Sequence, residues 1–397
     1  MKPAQKKLGR YRTSQEETMD RRAFFAVTGA GAAAVIPGAA APRKPSAGGA
    51  CASSRLPPLK ARLGHQMNGK LNESNCKWAS RYGLEALCAS PDIQDPERLY
   101  PTVEELNQML DMANRHKLKV EIIDSPLLQS TYVDREKHDA IMLGQSPERD
   151  HEIEAIQTTL KNCAAVGIRT LKYNMSILGV PRNAETVQGR GDTVYGKWDL
   201  KEGLAENRPL TRAGRVNENE YWDRIEYFLA RVVPAANEYK VRIACHPEDP
   251  GMPPEGFQGI QNPLCSIDGL KKFVTLHESS YHGLNFCQGT ITEDLYHPNA
   301  EIGDVIRWFG SRKKIFNVHF RNIRGGRDNF VAEMFPDEGD VDFVKALKVY
   351  REVGYEDLLM PDHAPRVPGD EQAGSRENFA FEFGYIRGLI QAEQHLA

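Results

Sequence analysis

Val241-Arg242-Ile243-Ala244-Cys245-His246-Pro247-Glu248-Asp249-Pro250 is a short apolar run that closes on an imidazole, two carboxylates and two prolines. A run of this length bounded by proline reads as a buried strand. Upstream, Tyr221 to Tyr239 carries helical periodicity, and downstream Ser266 stands as an N-cap before the amphipathic stretch Ile267 to His277. A strand flanked by helices is one unit of a β/α repeat.

The same unit recurs along the chain. Strands are expected at Ala61 to Gln66, Leu84 to Cys88, Lys119 to Ile123, Arg169 to Tyr173, Val241 to Cys245, Leu284 to Cys287, Ile315 to Phe320 and Asp357 to Met360. Helical patterns lie between them at Val103 to His116, Asp150 to Val166, Glu301 to Gly310 and Val341 to Gly354. Eight strands alternating with helices predict a single α/β domain, a (β/α)8 TIM barrel over residues 57–397. The one irregular interval, Asn174 to Glu220, is a long insertion between the fourth and fifth strands. In a barrel such a segment is a lid or an active-site wall.

The 397 residues include 51 Lys plus Arg against 54 Asp plus Glu, with 40% hydrophobic and 8% aromatic residues. This composition excludes a disordered polymer, a fibre and a disulfide scaffold, and gives no basic surplus for nucleic acid. The charge is uneven. Residues 1–41 hold seven Lys/Arg and three Asp/Glu, leaving an acidic remainder of 44 against 51. Asp20-Arg21-Arg22-Ala23-Phe24-Phe25 precedes a charge-free, Ala/Gly-rich run that is broken by Pro37 and closed by Ala39-Ala40-Ala41. The pattern resembles a twin-arginine export signal, so residues 1–56 are read as signal and flexible linker and the product as periplasmic; without that signal it is cytoplasmic. The run is too short and too Gly-rich for a stable membrane span. Met19 is a natural initiator for such a signal. Cys51 lacks the large aliphatic neighbour of a lipoprotein attachment site.

Catalytic groups of a barrel follow its strands, at the C-terminal face. His246 follows the fifth strand, Cys287 ends the sixth in Asn285-Phe286-Cys287-Gln288-Gly289-Thr290, His319 ends the seventh in Asn317-Val318-His319-Phe320-Arg321-Asn322, and Asp362 follows the eighth in Met360-Pro361-Asp362-His363. A mixed N/S/O set suits Mn, Fe, Co or Zn and disfavours Mg or Ca. Singly, each residue has an ordinary structural reading, as a hydrogen-bonded strand-end histidine or a core cysteine. The coincidence of four at one face points to a metal. His65, at the end of the first strand, is a further candidate for the mouth.

These segments, in this order, resemble the mannonate dehydratase family of xylose isomerase-like barrels. The resemblance rests on Cys245-His246-Pro247-Glu248-Asp249-Pro250, Cys287-Gln288-Gly289-Thr290, His319-Phe320-Arg321, Glu338-Gly339-Asp340-Val341-Asp342 and Pro361-Asp362-His363, with weaker matches at Lys172-Tyr173-Asn174 and Gln157 to Asn162. It implies dehydration of D-mannonate, a small sugar acid, to 2-keto-3-deoxy-D-gluconate in hexuronate (glucuronate) catabolism, with Mn2+ or Fe2+. It also implies His246, Cys287, His319 and Asp362 as ligands and His363, beside Asp362, in proton transfer. Arg321, Lys172, Asn174 and Glu248 are read as substrate-binding, with Arg321 alternatively an ion-pair partner of Glu248 or Asp249. A homo-oligomer is a further expectation. Three departures stand out. Ala380 or Phe381 falls where the family has a tyrosine, Leu128 replaces the histidine of a Pro-Val-His segment, and Gly179-Val180-Pro181-Arg182 replaces Trp-Thr-Arg. A sugar isomerase or epimerase of the same superfamily, or a non-catalytic exported sugar-acid binding protein, are the alternatives.

Overall fold

A computed structural model describes residues 56–67, 69–368 and 376–395; the export signal expected before Ala41 lies outside them. Eight parallel strands close into a barrel in sequential order: β1 (Arg62–Met67), β2 (Ala86–Ala89), β3 (Lys119–Asp124), β4 (Thr170–Asn174), β5 (Arg242–His246), β6 (His282–Cys287), β7 (Ile315–His319) and β8 (Leu358–Met360). Each lies within about two residues of its expected bounds, because short apolar runs mark buried parallel strands directly.

Ala86, Cys88, Ile122, Leu358 and Met360 form a small cluster of their own, while the alternate residues Leu87, Ile123 and Leu359 belong to the large core beneath the helices. Side chains alternate along a strand, so the small cluster is the barrel interior. Gly64 faces it: a Cβ there would meet Leu358 and Met360 at 3.1–3.2 Å. On β6 and β7 the interior turns polar. Asn317 Nδ2 donates to Asn285 Oδ1, and Asn285 Nδ2 lies 3.3 Å from His319 Nε2. Register sets these groups level, pairing Cys287 with His319 across β6–β7 and Asn174 with His246 across β4–β5.

The outer helices include Val103–Arg115, Glu148–Val166, Glu218–Tyr239, Ile267–Thr275, Pro298–Ser311 and Phe343–Glu352. Ser266 caps its helix by accepting from Gly269 N, as its position predicts. Two longer helices lie outside the expected patterns, as do the short Ala140–Leu143, Leu200–Ala205 and Gln288–Glu293. Glu73–Arg81 is capped by Asn72 and Asn75 without the usual Glu or Gln, and buries only Asn75, Cys76, Trp78 and Ala79. Arg376–His395 packs on β1 and β8. Within the insertion, Val187–Gln188 and Val194–Asp199 join Asn329–Ala332 and Arg324–Gly326, which follow β7, in a four-stranded antiparallel sheet. Trp198, fully buried, packs edge-on against Phe257 beside this sheet. No helix among the described residues is long and apolar enough to cross a membrane.

Candidate metal centre

His246, Cys287, His319 and Asp362 converge at the C-terminal ends of β5 to β8, with one donor atom of each within 4.8 Å of the others. His319 Nδ1 is 3.1 Å from Asp362 Oδ1, and Cys287 Sγ is 3.5 Å from Asp362 Oδ2. A tetrahedral shell with bonds of about 2.0–2.3 Å spaces its donors by roughly 3.3–3.8 Å, so these separations fit one transition-metal ion. The surroundings favour ligation. His246 Nδ1 faces Pro247 O at 2.5 Å, which leaves Nε2 as its outward donor, and burial lowers its pKa toward the neutral, ligating form. Cys287 Sγ accepts from Thr290 N at 3.4 Å and Thr290 Oγ1 at 3.2 Å, contacts suited to a thiolate.

Arg321 lies beneath the cluster. Its guanidinium meets Asp249 Oδ2 at 2.8 Å, Glu293 Oε1 at 2.9 Å and Asp362 Oδ2 at 3.3 Å, with its side chain 1% exposed. Burial works against this charge, but Glu293, Cys287 and Asp249 outweigh it and raise the pKa well above the ordinary arginine value. Burial likewise disfavours the Asp362 carboxylate, yet His319, His363 and Arg321 hold its pKa well below the usual range. Asp249 is depressed by Arg182 and Arg321 against the cost of burial, whereas burial and Asp249 push Glu293 well up. Burial and their mutual proximity thus drive the two carboxyls in opposite directions.

A cavity of about 490 Å³ opens above the cluster, lined by His246, Asp249, His319, Asp362 and His363 on the floor side. Lys172, Asn174, Arg182, Glu333 and Arg366 form its polar walls, and Gly196 of the antiparallel sheet faces it. Lys172 Nζ donates to Asp124 Oδ1 at 2.8 Å; burial opposes its charge, and Asp124 more than restores it. His363 has a 45% exposed side chain and Nε2 3.5 Å from Asp362 Oδ2. The cavity thus joins cationic groups, a carboxylate and an accessible imidazole beside four metal donors, a set suited to holding a hydroxylated anion and moving its protons.

Neither Arg321 nor Glu248 lines the cavity, and of the two readings of Arg321 the ion pair is the one formed. Arg321 is absent from the cavity lining and makes the ion pair with Asp249, so its geometry is that of a support beneath the cluster. Glu248 turns away from the cavity: its Oε1 accepts from Ser176 Oγ at 2.9 Å, and burial pushes its pKa well up, while its neighbour Asp249 faces in. Arg182 was named only within a departure from the family pattern, and Glu333 and Arg366, in or beside the antiparallel sheet, carry no local motif that marks them as lining groups. No tyrosine lines the cavity among the described residues; Phe379 does, and Phe381, 41% exposed, packs on Phe335.

His65 lies away from the mouth. Its ring packs against Phe379 at 4.8 Å, Phe383 at 4.9 Å and Trp78 at 5.5 Å, and its Nδ1 has no hydrogen-bond partner. Burial pushes its pKa from 6.5 down to about 3. With the folded value depressed, the unfolded chain takes up the proton first. The contribution of His65 is therefore complete above pH 6.5 and is lost as pH falls toward 3. His65→Phe should flatten this acid limb, measured as urea midpoints between pH 7 and pH 4; an unchanged limb counts against a neutral buried imidazole.

Residues 198–397, half of the chain, match the family model described as D-mannonate dehydratase (UxuA), and this half carries β5 to β8 and all four metal donors. The chain is 28% identical over 315 residues to the mannonate dehydratase of Streptococcus uberis, covering 73% of this chain and 86% of that protein. It is 26% identical over 326 residues to that of Thermotoga petrophila, with the same coverages of 73% and 86%. The crystal structure of mannonate dehydratase from Streptococcus suis serotype 2 superposes with a TM-score of 0.71 at 21% identity, covering 85% of this chain and 95% of that one. A xylose isomerase domain protein from Planctomyces limnophilus superposes with a TM-score of 0.54 at 12% identity, covering 85% and 99%, which supports the barrel type. With the matched half holding every donor of the centre, the chain belongs to the D-mannonate dehydratase family.

Proposed function

We propose that the protein is a metal-dependent sugar-acid dehydratase that converts D-mannonate to 2-keto-3-deoxy-D-gluconate and water, a step of hexuronate breakdown. The observation that carries this reading is the convergence of His246, Cys287, His319 and Asp362, three of which line the cavity, within the half of the chain that matches the family. Mn2+ or Fe2+ is the proposed ion, in keeping with the thiolate and imidazole donors. When bound, such an ion supplies a Lewis acid for the negative charge that develops as the C2 proton leaves.

The chain's own residues do the rest. Lys172, Arg182 and Arg366 provide positive charge for the substrate carboxylate, a local attraction that offsets the acidic barrel. Asn174 offers an amide to the hydroxyls. His363 accepts the proton from C2 and returns it to the hydroxyl departing from C3, so that the C2–H and C3–O bonds break and water leaves. One imidazole serving both transfers is consistent with the absence of a tyrosine from the lining among the described residues. His363→Asn should keep full metal content and lose turnover by about 10²–10⁴-fold; wild-type rates would remove His363 from the mechanism.

The test of the reaction is NMR analysis of product after incubating the metal-loaded protein with D-mannonate. A keto-deoxy acid supports the reading. Aldose–ketose interconversion on a sugar panel would favour an isomerase, and metal-dependent binding without turnover a binding protein. The Arg21-Arg22 signal would put the activity in the periplasm, which fractionation of cells expressing the full chain checks.

A further inference from the structure

The catalytic cavity does not end at its own wall. A second, open groove of about 610 Å³ abuts it across Ser130, Val180 and Arg182, which line both. The floor of the groove is built where the first turn of the insertion crosses the loop after β3. Leu178 bridges to Tyr132, and Gly179 adopts a left-handed φ of 64° because a Cβ there would sit 3.0 Å from Tyr132 N and 3.1 Å from Thr131 C. That tight crossing lifts the next residue, Val180, into the partition between the two spaces, where it remains 37% exposed.

Val180 stands between cavity and groove with a short aliphatic side chain, within the Gly179-Val180-Pro181-Arg182 segment that departs from the Trp-Thr-Arg of the family resemblance. Beyond it the groove offers groups suited to a sugar ring. Tyr132 presents an aromatic ring whose hydroxyl accepts from Gln258 Nε2 at 2.6 Å. Arg135 lies 6.0 Å from that ring, and Arg208, tied to Glu206 and to Arg182 O, lines the groove beside the partition. Aromatic faces with planar donors and amides around them are the ordinary chemistry of carbohydrate recognition.

We infer that the groove is a subsite for a second sugar unit, so that the preferred substrate is an aldonic acid glycosylated on the carbons remote from its carboxylate. The inference rests on the dehydratase reading for the placement of that carboxylate. The reacting C1–C3 end lies over the metal donors, and C4–C6 point toward Val180 and the groove.

The test separates binding from turnover by using 3-deoxy acids, which lack the leaving hydroxyl. Calorimetry on the metal-loaded protein compares 3-deoxy-mannonate with its 4-O- and 6-O-glucosyl derivatives. At least one derivative should bind about tenfold tighter or better, and Tyr132→Ala, Arg135→Ala and Val180→Trp should each shrink that ratio severalfold. Equal or weaker binding of both derivatives overturns the inference, as does a preference that survives all three substitutions. Turnover of D-mannonate is measured in parallel. Its failure strikes the dehydratase reading, whereas the subsite stands or falls on the binding ratio.

Discussion

His319→Ala should reduce bound metal from about one equivalent per chain to a trace, and dehydration with it. Losing a partner outside the ligand shell typically costs about 10–100-fold in affinity or activity, and losing a ligand should cost more. The arrangement around His319 explains the size of the effect. Its imidazole is 1% exposed, lies 3.1 Å from Asp362 and is steadied from below by Asn285, which is itself held by Asn317. Without it, only three donors face the ion and the Asp362 carboxylate loses its nearest imidazole. His246→Ala should behave alike. Metal analysis of gel-filtered protein, with circular dichroism to confirm folding, is the measurement; full occupancy in both variants would remove the centre from this position.

Arg321→Met should be the most destabilising single change at the site, by about 3–5 kcal/mol. The side chain is surrounded by Asp249, Glu293 and Asp362, and its removal leaves buried carboxylates without their cation. Arg182 still reaches Asp249 at 2.6 Å, so part of the charge remains matched. Arg321→Lys should recover only part of the loss, because a point ammonium cannot reproduce the planar fork that meets Asp249 and Glu293 together. Urea unfolding midpoints measure both. A variant of native stability with a raised KM for mannonate would instead make Arg321 a substrate anchor.

Much of this was legible in the chain because barrel strands announce themselves twice, as apolar runs and as the residues that follow them. His246, Cys287, His319 and Asp362 were found by reading the ends of β5 to β8, where the fold requires side chains to face the mouth. What stayed hidden lies beyond the reach of local periodicity. After a strand ends, alternation no longer tells which of two adjacent carboxylates turns inward, and Asp249 rather than Glu248 does so. Arg321 offered two readings that only its contacts separate, since Glu293 comes from the short helix Gln288–Glu293 after β6 and carries no motif. The sheet wall was hidden for a similar reason. Val194–Asp199 pairs with Asn329–Ala332 across more than a hundred residues, and neither strand has a strong apolar alternation of its own. His65 was misplaced by its position near a strand end; its odd place on β1 turns it outward, under the Arg376–His395 helix.

The most direct test of the central claim is a metal titration of stripped protein under anaerobic conditions, with D-mannonate turnover read at each addition of Mn2+ or Fe2+. The predicted result is negligible activity without metal and a linear rise that saturates near one equivalent. Full activity in metal-free protein, or one equivalent bound with no keto-deoxy acid formed, would contradict it.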